Sequence, residues 1–381
     1  MATEETSLKG VSSLGCTTGS GASSATISPF TSLTLSLAET LTCRPKMGPT
    51  QHKDMALNLS LWINVLILVT KIFAFIVSGS LSVLAALVDS ALDILSQIIL
   101  YWAEGKSKNS SVAIYPAGAT RFEPVGVIIT AAVMGMGSLS LIKESLSNLI
   151  SNATSGTVPS LGGGGSSWLS LLAVIAVKVL LSLYCRSVTS LLTSTKAGSI
   201  ATIEAMYQDH FNDALSNFIA VVALVLAMNH PNMWWVDPLG AIVISLYIMY
   251  SWYETGTEEI EKIVGRAADQ SLLDSITSLG NAHHPSLSVD ICRCYHFGPK
   301  FLVEMEVILP ADMLLRDTHD IGMSLQYKLE NVPEVERAFV HIDYSAREYD
   351  EHVMSRKVKS YQDQINMTSP QGSEKNLNLI V

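Results

Sequence analysis

The sequence predicts an α-helical membrane protein, with a six-helix transmembrane bundle followed by a C-terminal cytosolic α+β domain. Hydrophobic residues make up 48% of the 381 positions and charged residues only 15%, and the mean hydropathy is +0.33. Soluble domains carry about 25% charge. The charge is concentrated late in the chain, because residues 254–352 contain 19 acidic and 8 basic residues. An apolar membrane half therefore precedes an acidic soluble half.

The composition also excludes several classes of protein. A net charge of −10 argues against nucleic-acid binding, which needs a basic face. Five cysteines are too few, and odd in number, for a disulfide scaffold. The sequence contains no Gly-x-x-x-x-Gly-Lys-Ser/Thr phosphate loop, no Gly-x-Ser-x-Gly turn and no His-Glu-x-x-His pair. We therefore expect neither direct use of ATP nor an enzyme.

Residues 1–54 form a tail that is rich in Ser and Thr and has no sustained hydrophobic period, as is typical of disordered segments. Six apolar stretches follow this tail. Each stretch has the ~20 residues that a helix needs to cross a bilayer. Together they predict a transmembrane domain over 55–255, with spans at 57–78, 81–103, 123–144, 168–186, 205–228 and 234–252.

Loop charges predict the orientation of these spans. The second loop carries Lys106, Lys108 and Arg121, and the fourth carries Arg186 and Lys196. The loops around 151–167 and 229–233 contain no Lys or Arg. Because basic loops stay in the cytoplasm, both termini are expected there.

The acidic half, residues 256–352, has the pattern of a small cytosolic domain. Its segments predict the order αββαβ, which is typical of an open-faced, ferredoxin-like or metallochaperone-like sandwich. The helix from Asp317 to Asn331 is expected to be capped by Asp317 or Thr318. The five segments are 269–281, 287–296, 300–309, 317–331 and 335–344. The polar remainder, 353–381, is predicted to be disordered.

Two aspartate pairs inside the predicted spans are the most informative motif. Span two contains DSALD, with Asp89 and Asp93, and span five contains DHFND, with Asp209 and Asp213. Residues four apart lie on one face of a helix, so each pair presents two carboxylates in one direction. A charged side chain in a span costs ~2.5–3.5 kcal/mol. Four acids together would also repel one another unless a cation neutralised them.

A divalent metal that protons replace when it leaves would neutralise this cluster, and its binding would then release protons. The alternative is that a membrane aspartate pairs with a basic neighbour, for which Lys71 and Lys178 are candidates. Carboxylate oxygen is a hard ligand that suits Mn²⁺ better than Zn²⁺. His210 follows Asp209 directly and points about 100° away from it on a helix, toward another helix or solvent rather than the site.

A second group of acids and histidines lies in the soluble half. His341 and Asp343 alternate on a predicted strand and share one face, and His319 lies near the start of the preceding helix. With Asp290 they could form a cytosolic metal site, and ordinary surface histidines on an acidic domain are the alternative.

These features together resemble the cation diffusion facilitators, or metal tolerance proteins, over about residues 55–350. Besides the aspartate pairs, the matching stretches are 115–124 before span three, 235–238 before span six and 339–343 near the end. The resemblance implies a homodimer that exchanges cytosolic divalent cations for protons and binds metal at the four aspartates. Zinc-transporting members usually carry His at position 209, so Asp209 resembles the manganese branch. The resemblance also implies cytosolic ligands at Asp290, His319, His341 and Asp343, although the second strand lacks a histidine.

We therefore expect an integral membrane Mn²⁺/H⁺ exporter of an endomembrane or the plasma membrane. The metal is its cargo, and no cofactor is expected. Membrane lipid and a second copy of the chain are its expected partners. The alternatives are a Zn²⁺, Fe²⁺ or broad-range exporter on the same scaffold, a metal sensor or scaffold that does not transport, and a channel. Tight binding by an acid cluster disfavours the channel.

Overall fold

The computed structural model describes residues 48–78, 81–111, 113–155, 165–196, 199–229 and 233–346. Most of the predicted N-terminal tail and all of residues 353–381 lie outside these ranges. The first helix begins at Pro49, inside the predicted tail of 1–54. Proline suits the first helical position because its fixed φ matches the helix and its missing N–H would have no partner there. The Gly48 amide donates to Gln51 Oε1 at 3.1 Å, which satisfies a further donor at this helix start.

Six long helices form the first part of the described chain. They are α1 (Pro49–Ser78), α2 (Leu81–Asn109), α3 (Phe122–Ser155), α4 (Gly165–Thr195), α5 (Ala201–Asn229) and α6 (Val236–Val264). Each has 29 to 34 residues. At 1.5 Å per residue they are roughly 44–51 Å long, which exceeds the ~30 Å of hydrocarbon in a bilayer.

Four of these helices are apolar and long enough to cross a membrane, among the residues that the structure describes. The segments are Pro49–Ile76, Ala86–Asn109, Phe122–Thr154 and Leu172–Thr195. Helices α5 and α6 complete the six-helix bundle that the sequence predicts, and α5 packs along α4 and α6 along α3. Both helices bury polar side chains in the bundle, among them Asp209 and His210 of α5 and Ser245 of α6.

The C-terminal part has the predicted αββαβ order. Its elements are α7 (Gln270–Asn281), β1 (Ser288–His296), β2 (Phe301–Ile308), α8 (Leu315–Glu330) and β3 (Val335–Asp343). The sheet order is β1-β2-β3, with β1 and β2 antiparallel and β2 and β3 parallel. Helix α6 ends at Gly265, which adopts φ +93° and donates its amide to the Glu261 carbonyl. This left-handed glycine ends the last long helix before the sheet domain.

Helix α8 begins earlier than predicted, and the predicted cap at Asp317 or Thr318 is wrong. The Leu314 carbonyl already accepts the amides of Asp317 and Thr318 at 2.9 and 3.0 Å, so Leu314 is the N-cap residue. The Thr318 hydroxyl donates to the Leu315 carbonyl at 2.9 Å, inside the first turn. The helix therefore starts without a side-chain cap.

Candidate functional site

The four predicted membrane aspartates lie on α2 and α5. Asp89 and Asp93 are one helical turn apart on α2, and Asp209 and Asp213 are one turn apart on α5. Asp209 is 1% exposed. The side chains of Asp93 and Asp213 are 14% and 18% exposed. Asp209 is thus fully buried, and Asp89, Asp93 and Asp213 are partly buried.

Lys178 of α4 lies between the carboxylates of the two helices. Its Nζ is 2.5 Å from Asp213 Oδ2 and 3.3 Å from Asp93 Oδ2. The basic partner that the sequence offered as an alternative is therefore present, and it contacts one acid from each pair. Lys178 thus brings one aspartate of each helix, Asp93 of α2 and Asp213 of α5, within reach of one small cation.

Lys71, the other candidate partner, has a different role. Its Nζ donates to the Ala86 carbonyl at 2.9 Å and to the Ser90 hydroxyl at 2.6 Å. Ser90 follows Asp89 directly, so Lys71 fixes α1 to the start of the aspartate motif. Among the described residues, the close ionic contacts of the cluster are those of Lys178 with Asp93 and Asp213. Asp89 lies one helical turn before Asp93.

The structure also groups His210 with the aspartates of α5. One ligand atom each from Asp209, His210 and Asp213 lies within 4.8 Å of the others, the spacing of groups that could hold a metal ion. His210 is fully buried. Its Nε2 contacts the Ser60 hydroxyl of α1, so it faces another helix as predicted. The prediction that it points away from the site is wrong, because the bundle packing also leaves it beside Asp209 and Asp213. Gln97 Nε2 of α2 donates to the same hydroxyl at 3.0 Å.

Several buried polar atoms of this group, of the neighbouring Asn212 and of Asn64 on α1 have no hydrogen-bond partner among the described residues. They are both carboxylate oxygens of Asp209, both amide atoms of Asn64 and Asn212, and His210 Nδ1. Buried polar atoms without partners are destabilising, so they mark places where a cation or water would bind favourably. Ser60 and Asn64 are not among the site residues predicted from the sequence. Their four-residue spacing, which puts two polar side chains on one face of an apolar span, is the signal that could have indicated them.

The predicted cytosolic ligands lie on different layers of the sheet domain. A Cβ at Gly322 of α8 would be 2.7 Å from Ile342 Cδ1, so α8 covers the face of β3 that carries Ile342. His341 and Asp343 therefore point to the opposite face, because side chains alternate along a strand. His319 is exposed on the helix layer, with its Nδ1 3.2 Å from Asp320 Oδ1.

Asp290 is exposed, at an irregularity of β1 between Val289 and Ile291. Within the described part of one chain, the four side chains do not form a group that could hold an ion. The cytosolic site therefore stays a prediction.

Strand β2 has acidic residues on the face opposite α8. Arg293 of β1 lies 3.8 Å from Glu304 and 3.6 Å from Glu306, and Glu306 is paired in register with His341. Tyr295 donates to Glu304 at 2.5 Å. Burial, together with this hydrogen bond, raises the pKa of Tyr295 to about 12. These acids are thus already engaged by neighbours on the same face.

Comparison with known proteins identifies the family. Residues 57–264 match the cation efflux transmembrane domain. Metal tolerance protein 11 of Arabidopsis thaliana is 38% identical over 308 residues, which cover 80% of this chain and 74% of that protein. Metal tolerance protein 5 of Oryza sativa subsp. japonica is 37% identical, with 81% of this chain and 71% of that protein covered. The match spans all six helices, so the chain belongs to the cation diffusion facilitator family and is a membrane cation efflux transporter of the metal tolerance protein type.

Proposed function

We propose that this transporter exchanges cytosolic Mn²⁺ for protons and moves the metal into an organelle lumen or out of the cell. The observation that carries the proposal is the pair of D-x-x-x-D motifs on α2 and α5, whose Asp93 and Asp213 reach the same ammonium of Lys178. Two helices that share one small cation can also share a metal ion. Asp89, Asp93, Asp209 and Asp213 are the proposed ligands.

The ligand chemistry supports Mn²⁺ over Zn²⁺. All four proposed ligands are carboxylates, which are hard donors that suit Mn²⁺, Mg²⁺ and Ca²⁺, whereas imidazole and thiolate favour Zn²⁺ and Cu²⁺. His210 is near enough to contribute one nitrogen. Its Nε2 is engaged by Ser60, so only Nδ1 remains for that role.

Proton coupling follows from the charge of the cluster. The carboxylates must be ionised to bind the metal, so metal binding releases protons and protons displace the metal. Metal would bind from the cytoplasm, the helices would then reorient, and protons from the lumen would discharge it. The ion leaves chemically unchanged, so no catalytic residue or cofactor is proposed.

The remaining parts of the proposal concern the membrane and the assembly. The basic residues in the second and fourth loops favour cytosolic termini. We propose an endomembrane of the vacuole or Golgi type, or the plasma membrane, as the location. A homodimer is proposed because the cytosolic ligands of one chain lie on two layers of its sheet domain, where a second copy could complete a site.

Uptake into proteoliposomes across an imposed pH gradient tests the proposal. We expect gradient-driven Mn²⁺ uptake that Asp93→Ala abolishes. Asp274→Ala, which removes an exposed carboxylate of α7, is the matched control and should leave uptake unchanged. Unchanged Mn²⁺ flux in Asp93→Ala would refute the mechanism. Competition among Mn²⁺, Zn²⁺ and Fe²⁺ separates the manganese exporter from a broad-range one, and metal binding without any flux would identify a sensor or scaffold.

A further inference from the structure

Lys178 joins three helices of the bundle through one buried charge. Its side chain is 3% exposed, and it reaches from α4 to Asp93 on α2 and to Asp213 on α5. Both carboxylates belong to the proposed metal ligands. A cation of the protein itself therefore lies where the two aspartate motifs meet.

We propose that Lys178 acts as a tethered cation of the transport site, whose ammonium and the transported ion exchange places between Asp93 and Asp213. The proposal rests on the proposed function, since it describes how the same carboxylates are shared. Lys178 then sets the affinity of the transport site for metal. The exchange is a movement of the side chain and involves no change of its protonation.

The distances explain why the ion and the ammonium compete. A hard divalent ion lies about 2.0–2.6 Å from its oxygen ligands. The ammonium nitrogen is 2.5 Å from Asp213 Oδ2. An ion bound to that oxygen would therefore lie within about 5 Å of the nitrogen at most. Two cations at that distance in a buried site repel strongly, because little water is present to screen them.

The lysine side chain is suited to this exchange. Four methylene groups give it a flexible stem, so the ammonium can leave the carboxylates while its backbone stays in α4. The divalent ion carries twice its charge and can displace it. When the ion has moved on, the returning ammonium again separates carboxylates that would otherwise repel one another.

A purely structural ion pair predicts the opposite effect of mutation. If Lys178 only held the aspartates in place, its removal would disorder the ligands and weaken metal binding. If Lys178 competes with the ion, its removal leaves the ligands free for the metal and strengthens binding. The sign of the change in affinity thus separates the two roles.

Equilibrium binding of Mn²⁺ to the purified full chain in detergent, at one fixed pH, measures this sign. We expect Lys178→Gln to bind Mn²⁺ roughly fivefold or more tightly than the wild type, a typical coupling between competing ligands. Its transport turnover should fall, because the ammonium no longer helps to release the ion. Lys143→Gln, at an exposed lysine of α3, is the matched control and should change neither quantity. Unchanged or weaker binding by folded Lys178→Gln would overturn the proposal.

Lys178→Arg tests the competition between the side chain and the ion with the positive charge kept. This variant distinguishes the two roles of Lys178 if Lys178→Gln does not fold. Arginine forms two parallel hydrogen bonds to carboxylates, so it should hold the site more firmly and weaken Mn²⁺ binding roughly fivefold or more. Binding as tight as in the wild type would contradict the tethered cation. If Mn²⁺ binds the wild type and Asp93→Asn weakens it while both Lys178 variants behave like the wild type, only this inference fails. If the wild type binds no Mn²⁺, the proposed function fails as well.

Discussion

At the scale of single residues, the carboxylate of Asp209 is the group that should decide which metal is carried. It is the most buried of the four aspartates, and neither of its oxygens has a partner among the described residues. Replacing it by histidine exchanges a hard oxygen ligand for an imidazole, which favours Zn²⁺. We expect Asp209→His to raise the ratio of Zn²⁺ to Mn²⁺ uptake roughly tenfold, the effect of about 1.4 kcal/mol of ligand preference.

Competitive uptake of the two ions into vesicles measures this ratio. Asp274→His, at an exposed position of α7, controls for the added imidazole and should leave the ratio as in the wild type. An Asp209→His variant that transports both ions in the original proportion would show that this position does not set selectivity.

Ser60 is a second residue whose contacts lead to a prediction. Its hydroxyl contacts His210 Nε2 and accepts a hydrogen bond from Gln97, so it connects α1, α2 and α5 inside the bundle. Ser60→Ala would leave His210 Nε2 and the Gln97 side-chain amide buried without this hydrogen-bond partner. An unsatisfied buried group costs about 1–3 kcal/mol of folding free energy. We expect a clear drop in the thermal unfolding temperature in detergent.

The control is Ser140→Ala, because the exposed Ser140 hydroxyl donates only to the Met136 carbonyl of its own helix. Surface substitutions of this kind change the free energy of unfolding by no more than about 0.5 kcal/mol. Equal unfolding temperatures for the two variants would contradict a connecting role for Ser60.

The sequence could predict part of this site and not the rest. The four-residue spacing of each aspartate pair fixes a shared helix face, and this follows from helix geometry alone. The contact of Lys178 with Asp93 and Asp213 depends on how α2, α4 and α5 pack. Sequence spacing carries no such information, because the partners are 85 and 35 positions apart. The sequence therefore offered Lys178 only as one of two candidate partners.

At the scale of helices, a buried ionic network joins the ends of α1, α2 and α3 near the predicted cytosolic side. Lys53 Nζ lies 2.6 Å from Glu104 and 3.3 Å from Glu123, and it donates to the Ser199 carbonyl at 3.0 Å. All three charged side chains are about 5% exposed. Thr202 of α5 also donates to Glu104 at 3.2 Å. One lysine thus holds the ends of several helices together.

Removal of this lysine should destabilise the bundle. Lys53→Met leaves the buried Glu123 carboxylate without its cation and Glu104 with Lys108 alone. Removing one partner of a buried ion pair costs about 3–5 kcal/mol. We expect a large fall in the unfolding temperature in detergent. Adding Glu123→Gln should restore part of the loss, because it removes the charge left without a cation. Lys143→Met, at an exposed lysine, is the control, and an equally small effect of Lys53→Met would show that the network is not stabilising.

The same network explains why α1 begins before its apolar stretch. The first span was predicted from residue 57, where hydropathy rises, but α1 begins at Pro49. Residues 49–56, about two helical turns, include Lys53, whose charge is neutralised inside the bundle rather than by water. A hydropathy pattern cannot detect this, because it scores each charge as if it stood alone. The strands show smaller differences, since the alternation that predicts a strand ends where the strand ends.

At the scale of the whole molecule, the loop before α3 connects the bundle to the sheet domain. The Arg121 guanidinium lies 4.0 Å from the centre of the Phe297 ring, a cation–π contact. Gly298 permits this approach, because a Cβ there would be 2.6 Å from Arg121 Cγ, and its φ of +82° also favours glycine. Its amide donates to the Lys262 carbonyl at 3.1 Å, at the end of α6. A movement of the sheet domain would therefore act directly on α3 and α6.

A second contact between the two parts gives a prediction about pH. Lys196, after α4, forms an ion pair with Glu334, before β3. The hydrogen bond from Lys196 lowers the pKa of Glu334 below its ordinary value near 4.5. A carboxyl with a lowered pKa stabilises the folded contact above that ordinary value. The stabilisation is lost as the pH falls through the lowered pKa. Because the pair is partly exposed, we expect it to contribute only about 0–1 kcal/mol to the free energy of unfolding.

The stabilisation from the Lys196–Glu334 contact should accordingly be constant from neutral pH down to about 4.5 and decrease in more acidic solution. Carbon NMR of the Glu334 carboxyl in the full chain measures the pKa directly. Lys196→Gln should raise the Glu334 pKa toward its ordinary value, because the hydrogen bond from a cation is gone. Lys300→Gln, which removes a lysine that pairs instead with Glu336, should leave it unchanged. If the Glu334 pKa is the same in the wild type and Lys196→Gln, then Lys196 does not hold the sheet domain to the bundle through this carboxylate.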